Sequence, residues 1–192
     1  MTRPVGMAAK TFPRLTRARW LDEAIDVLAR HGSAPLSLRC LADELRVTKG
    51  SFYWHFKDLA DFQLALVEYW HDTHTLQVAR AVGEVPGGPT EQLKHLMKIV
   101  ILEGHARYDS VVTALGIQNP DLTPKIQATH EFRMRYVRSL LSAMGYRGKE
   151  LSVRTGMFVG YMMSETQINS GRTDKYRVAQ IPAMIAFLTE KS

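Results

Sequence analysis

Residues 48–56 read TKGSFYWHF. Lys49, Ser51, Tyr53, Trp54 and His55 bring a cation, two hydroxyls, an indole and an imidazole into one short stretch. These groups suit phosphate oxygens, sugars and the edges of nucleic-acid bases. If the stretch is helical, Phe52 and Phe56 fall four apart on one face and point into a core. The polar and aromatic set then lies on or near the opposite face. Elsewhere the chemistry is thinner. His71 and His74 stand three apart, a spacing that can chelate zinc, but no nearby Cys and no HExxH pattern completes a site, so no metal is expected. No glycine-rich phosphate loop and no nucleophile with its base is present, so neither an enzyme nor a cofactor is expected.

The elements that position TKGSFYWHF read as helices. Leu21, Ala24, Ile25 and Leu28 recur at helical spacing up to His31-Gly32. After Ser33-Ala34-Pro35, Ser37 stands at an N-cap position ahead of Leu38, Leu41, Ala42 and Leu45. A turn at Arg46-Val47-Thr48 follows, with Thr48 as the next N-cap. Helix, short turn, helix is the arrangement that lays its second helix in a DNA major groove. Arg39, Ser37 and Thr48 would then reach the flanking backbone. A fourth helix is expected from Asp58 to about Val82, and Val85-Pro86-Gly87-Gly88-Pro89 is the clearest loop. No alternating strand pattern occurs. The chain reads as all-α, with about nine helices. A flexible tail is expected over 1–14, a helix-turn-helix domain over 15–58 and a second helical domain over 59–192.

From Leu15 to about Leu66 the chain resembles the TetR family of bacterial transcriptional regulators. The likeness rests on Ala24…Leu28…His31-Gly32, on Leu36-Ser37-Leu38-Arg39…Leu41-Ala42…Leu45…Val47-Thr48, and above all on Phe52-Tyr53-x-His55-Phe56. It implies a homodimeric binder of a palindromic double-stranded operator, most often a repressor, released by a small-molecule effector. An activator of the same fold, or a helical interaction module without DNA binding, are the alternatives. The DNA-contacting set is expected to be Ser37, Arg39, Arg46, Thr48, Lys49, Ser51, Tyr53, Trp54, His55 and Lys57. Two positions depart from the family pattern. Arg46 stands where a glycine is usual, so either the turn differs or its strain is offset. Leu59 stands where a lysine is frequent, and Lys57 can supply that charge.

The second domain is expected to hold an adaptable, largely apolar pocket, drawn from His95, Met97, His105, Tyr108, Phe158, Tyr161, Met162 and Gln167. Gly156, Gly160 and Ser164 recur every fourth residue on a nearly all-apolar helix and permit close helix approach. With Ile181, Met184, Ile185 and Leu188 they form the expected dimer interface, a four-helix bundle by the resemblance.

Bulk composition agrees with this division of labour. The net charge is +6, and residues 1–57 hold ten Lys/Arg against five Asp/Glu, so nearly all the excess lies in the first third. That asymmetry points to a polyanionic partner. No apolar run approaches a membrane span. The single cysteine, Cys40, forms no intrachain disulfide, which fits a reducing cytoplasm, and it reads as a small buried side chain.

Overall fold

The computed structural model describes residues 15–31 and 38–190. Ser37 and the tail 1–14 lie outside the described residues. Every regular element among the described residues is helical. Three helices open the chain: α1 (Arg17–His31), α2 (Leu38–Glu44) and α3 (Lys49–His55). Next come α4 (Leu59–His71) and α5 (Gln77–Gly83), joined without a break by a π-helical turn at Asp72–Leu76. Then follow α6 (Gly88–Leu102), α7 (Ala106–Gln118), α8 (Thr123–Ala143), α9 (Gly148–Ile168), α10 (Asp174–Ala179) and α11 (Ile181–Thr189). Counting α4–α5 and α10–α11 as one rod each gives nine rods, the number read from the sequence. No helix among the described residues is long and apolar enough to cross a membrane.

The first three helices close on an aromatic knot. Trp20, Phe52, Phe56 and Phe62 are fully buried, with ring centroids 4.9–6.5 Å apart and mostly edge-to-face. Each such pair adds about 0.5–1.5 kcal/mol beyond its buried area. This core does not stop at residue 58. It runs on through Leu66 and Trp70 of α4 and Val111, Val112 and Leu115 of α7. A second core joins α5, α6, α8, α9 and α11 through Val82, Leu93, Leu141, Phe158 and Ile185.

The turn between α2 and α3 keeps the left-handed residue that a glycine would supply. Val47 N–H bonds to the Ala42 carbonyl at 3.0 Å and Arg46 N–H to the Asp43 carbonyl at 3.2 Å. That is a Schellman closure with Arg46 in the left-handed position, at φ 52°. Buried Val47 packs where the motif wants an apolar residue. The same closure after α8 uses Gly145. Arg46→Gly is expected to raise stability by about 0.5–1 kcal/mol, the strain relieved less the extra freedom of an unfolded glycine. Urea unfolding of the two proteins measures it.

Cys40 departs from its expected burial: it is exposed. The inward stripe of α2 is Leu38, Leu41 and Ala42, and position 40 falls outside it.

Candidate DNA interface and effector cavity

The short α3 is held rigidly at both ends. Thr48 caps its start, its Oγ1 accepting from Ser51 N–H at 3.2 Å. Phe52 and Phe56 anchor its inner face in the aromatic knot. The outer face presents Lys49, Tyr53 and Trp54, with Tyr53 61 % and Trp54 68 % exposed. Arg39, Arg46, Thr48 and Lys57 are exposed around it. Ser51 and His55 are half-buried and turned toward α1. Ser51 Oγ accepts from Trp20 Nε1 at 3.2 Å, and His55 Nε2–H donates to the Leu15 carbonyl at 2.7 Å. Both serve to lock α3 onto α1 here. Of the ten residues expected at DNA, seven are exposed, two are half-buried and bonded to Trp20 and Leu15, and Ser37 is outside the described residues.

The second site is a partly open cavity of about 60 Å³. Its apolar wall comes from Val78, Leu96, Val100, Phe132, Tyr136, Phe158, Val159 and Met162. Its polar wall is His74, Thr75, His105, Asp109 and Arg133. Of the eight residues expected to line a pocket, His105, Phe158 and Met162 do so. Met97 is buried in the second core, and His95 is half-buried on α6. Tyr161 accepts from Asn169 Nδ2 at 3.0 Å, while Gln167 is exposed and bonds Ser110 at 2.9 Å. Tyr108 stacks on His74 from behind, with ring centroids 4.3 Å apart.

The polar wall is a connected network. Asp109 accepts from Arg133 through both carboxylate oxygens at 2.9 Å and from Trp70 Nε1 at 2.9 Å. Arg133 also donates to Thr75 Oγ1 at 3.0 Å and lies over the Trp70 ring at 4.7 Å. His74 and His105 meet through their Nδ1 atoms at 2.8 Å, and His105 Nε2 reaches Glu103 at 2.8 Å. Burial pushes the His74 imidazole down to about 3, with the neighbouring His105, Arg133 and Arg107 adding to it. Burial lowers His105 as well, against the opposing pull of Glu103. His71, expected to pair with His74 if any metal were held, instead bonds Thr129 on α8 at 2.9 Å.

This network touches the first domain directly. Tyr108 Oη donates to Asp26 on α1 at 2.6 Å, and Arg107 reaches the same oxygen at 3.0 Å. Tyr69 on α4 donates to Asp22, one turn earlier, at 2.8 Å. Sequence reasoning missed His74, Asp109 and Arg133 as cavity residues. No local signal marked them, since Asp109 and Arg133 pair across 24 residues and His74 meets His105 across 31.

Comparison with known proteins matches residues 21–66 to the family model described as bacterial regulatory proteins, tetR family. Over this segment the chain is similar to the TetR family. The regulator TtgR of Pseudomonas putida is 36 % identical over 66 residues, 34 % of this chain and 31 % of its own. AcrR of Shigella flexneri is 31 % identical over 99 residues, 50 % of this chain and 46 % of its own. The chain thus spans less than half the length of these curated relatives. Whole-chain likeness appears in structure. FadR from Bacillus subtilis, solved with stearoyl-CoA, superposes with a TM-score of 0.68 at 18 % identity, covering 91 % of this chain and 98 % of FadR. AibR, solved with isovaleryl coenzyme A and operator DNA, gives 0.66 at 20 % identity, covering 91 % and 98 %. Over about nine-tenths of its length the chain therefore shares the all-helical fold of these structures.

Proposed function

We propose that the protein is a ligand-responsive repressor that binds a palindromic operator as a homodimer and leaves it when a small molecule fills the cavity. The division at residue 58 is functional in this reading, with 15–58 carrying DNA contacts and 59–192 carrying the effector and the partner subunit. The observation that carries it is the pairing of an open Tyr53–Trp54 face with a cavity wired to α1 through Tyr108 and Asp26. Lys49, Arg39, Arg46 and Lys57 supply the cations that phosphate binding requires. A ligand pressing on the His74 wall moves the stacked Tyr108, and Tyr108 holds Asp26 on the helix that supports α3. The ligand acts only through its differential affinity for two arrangements of the DNA-binding heads, usually about 1–3 kcal/mol.

The subunit interface in this reading is the outer face of α9 with α11. Gly156, Gly160 and Ser164 are exposed, and a methyl at either glycine would meet nothing within 4 Å in this chain. Val153, Met157 and Phe187 stand beside that stripe, Phe187 at 70 % exposure. Ile181, Ile185 and Leu188, expected at the interface, instead face inward in the second core, and Met184 packs against it half-buried. The apolar stripe of α11 is used within the chain because α6 lies against it. Phe187→Asp is expected to weaken dimerisation by about 2 kcal/mol or more, as for a central aromatic anchor. Sedimentation equilibrium reads it directly.

The test of the whole reading is selection of bound sites from genomic DNA at two salt concentrations. The expected result is a palindrome whose affinity falls steeply with salt. Absence of any enriched site overturns the reading.

A further inference from the structure

The histidine pair in the cavity wall fixes its own protons. A carboxylate only accepts, so the His105 Nε2 facing Glu103 at 2.8 Å carries a hydrogen. A neutral imidazole has one N–H, so His105 Nδ1 is then a bare acceptor. His74 Nδ1, 2.8 Å away, must be the donor of that bond. His74 Nε2 is left as a lone-pair acceptor. It is buried and has no hydrogen-bond partner among the described residues. Buried acceptors of this kind are uncommon in native proteins because they forfeit the hydrogen bond that water would give. Its side chain lines the cavity, while the atom itself has almost no accessible surface, so a ligand reaches it only by displacing the groups that now cover it.

From this, and resting on the cavity being the effector site, we infer that its ligand is a largely apolar, uncharged molecule that donates one hydrogen bond to His74 Nε2. An alcohol, a phenol or an amide N–H has the right chemistry. A carboxylate does not, since it brings only acceptors to an acceptor. The wall's one arginine has its charge balanced within the wall: Nη1 of Arg133 binds both oxygens of the buried Asp109, Nε donates to Thr75 Oγ1, and Nη2 reaches the His74 carbonyl at 3.5 Å. Burial keeps both imidazoles neutral near pH 7, His74 down to about 3, so the donor–acceptor order does not reverse there. Phe132, Tyr136 and Phe158 supply ring faces for the apolar part of the ligand.

The experiment uses three probes of one shape, 4-propylphenol, 4-propylanisole and 4-propylbenzoate, titrated into the full chain with ¹⁵N-labelled histidine. Before any probe is added, His74 is expected to carry its proton on Nδ1 and His105 on Nε2. The phenol is expected to bind roughly tenfold tighter than the anisole, the size of one net hydrogen bond. Only the phenol should shift the His74 Nε2 resonance, and His74→Phe should erase the phenol's advantage. Should that variant not fold, the wild-type ¹⁵N spectra decide alone. A His74 protonated on Nε2, or equal binding of phenol and anisole as for a site already filled by water, overturns the inference. So does tighter binding of the benzoate. In those cases the cavity still stands as a ligand site. Binding of none of the three overturns the inference and the cavity assignment together, while operator selection still reports separately on the DNA-binding face.

Discussion

Tyr53→Ala lowers affinity for the selected operator by about tenfold to a hundredfold, the span of one lost specific contact of roughly 1–3 kcal/mol. Trp54→Ala is expected to fall in the same range. Neither should move the unfolding midpoint by more than about 0.5 kcal/mol, because both side chains stand open on the outer face of α3. The contrast is Phe52→Ala on the same short helix. Phe52 is fully buried among Trp20, Phe56 and Phe62, and its loss costs about 3–5 kcal/mol of stability. Electrophoretic mobility shift and urea unfolding on the three variants separate surface from core. Tyr53 and Trp54 variants that bind operator as wild type would remove α3 as the reading helix.

Arg133→Met is expected to cost about 3–5 kcal/mol, since it strands the buried Asp109 carboxylate without its cation. Asp109→Leu strands the guanidinium in turn and should cost a similar amount. The double variant is expected to recover much of either loss, because an apolar pair needs no compensation there. Denaturant unfolding of the four proteins closes the cycle. A large residual loss in the double variant would locate the stability in Thr75 and Trp70, which the network also engages.

The N-terminal third was legible because its signals are local. Thr48 caps, the Phe52–Phe56 spacing and the periodicity of Leu21 to Leu28 each lie within one helix. The open position of Tyr53 and Trp54 follows from the same spacing. The inward turn of Ser51 and His55 does not, because it depends on where Trp20 and Leu15 sit across the fold. The first half of α8 was illegible for a different reason. Its inward residues include Thr129, His130 and Arg133, and a helix whose buried face is polar carries no apolar period. The cavity's polar wall was invisible because its partners are distant in sequence: His74 and His105 are 31 residues apart, Asp109 and Arg133 are 24. The apolar stripe of α11 was visible, but periodicity reports that a face is covered and not which chain covers it.

The π turn at Asp72–Leu76 is a matter of counting along the chain. Buried positions step from Leu66 to Trp70 by four, from Trp70 to Thr75 by five, and then to Val78 and Val82. The wide turn absorbs one surplus residue, so the inward stripe continues from α4 in the first core to α5 in the second. A descendant that deleted one residue there would keep both inner sides in phase and lose the wide turn that carries His74. Sequence comparison across this segment should therefore tolerate a one-residue gap without a change of fold. The length of the rod, rather than any single side chain, then becomes the heritable trait that separates proteins with this polar corner from those without it.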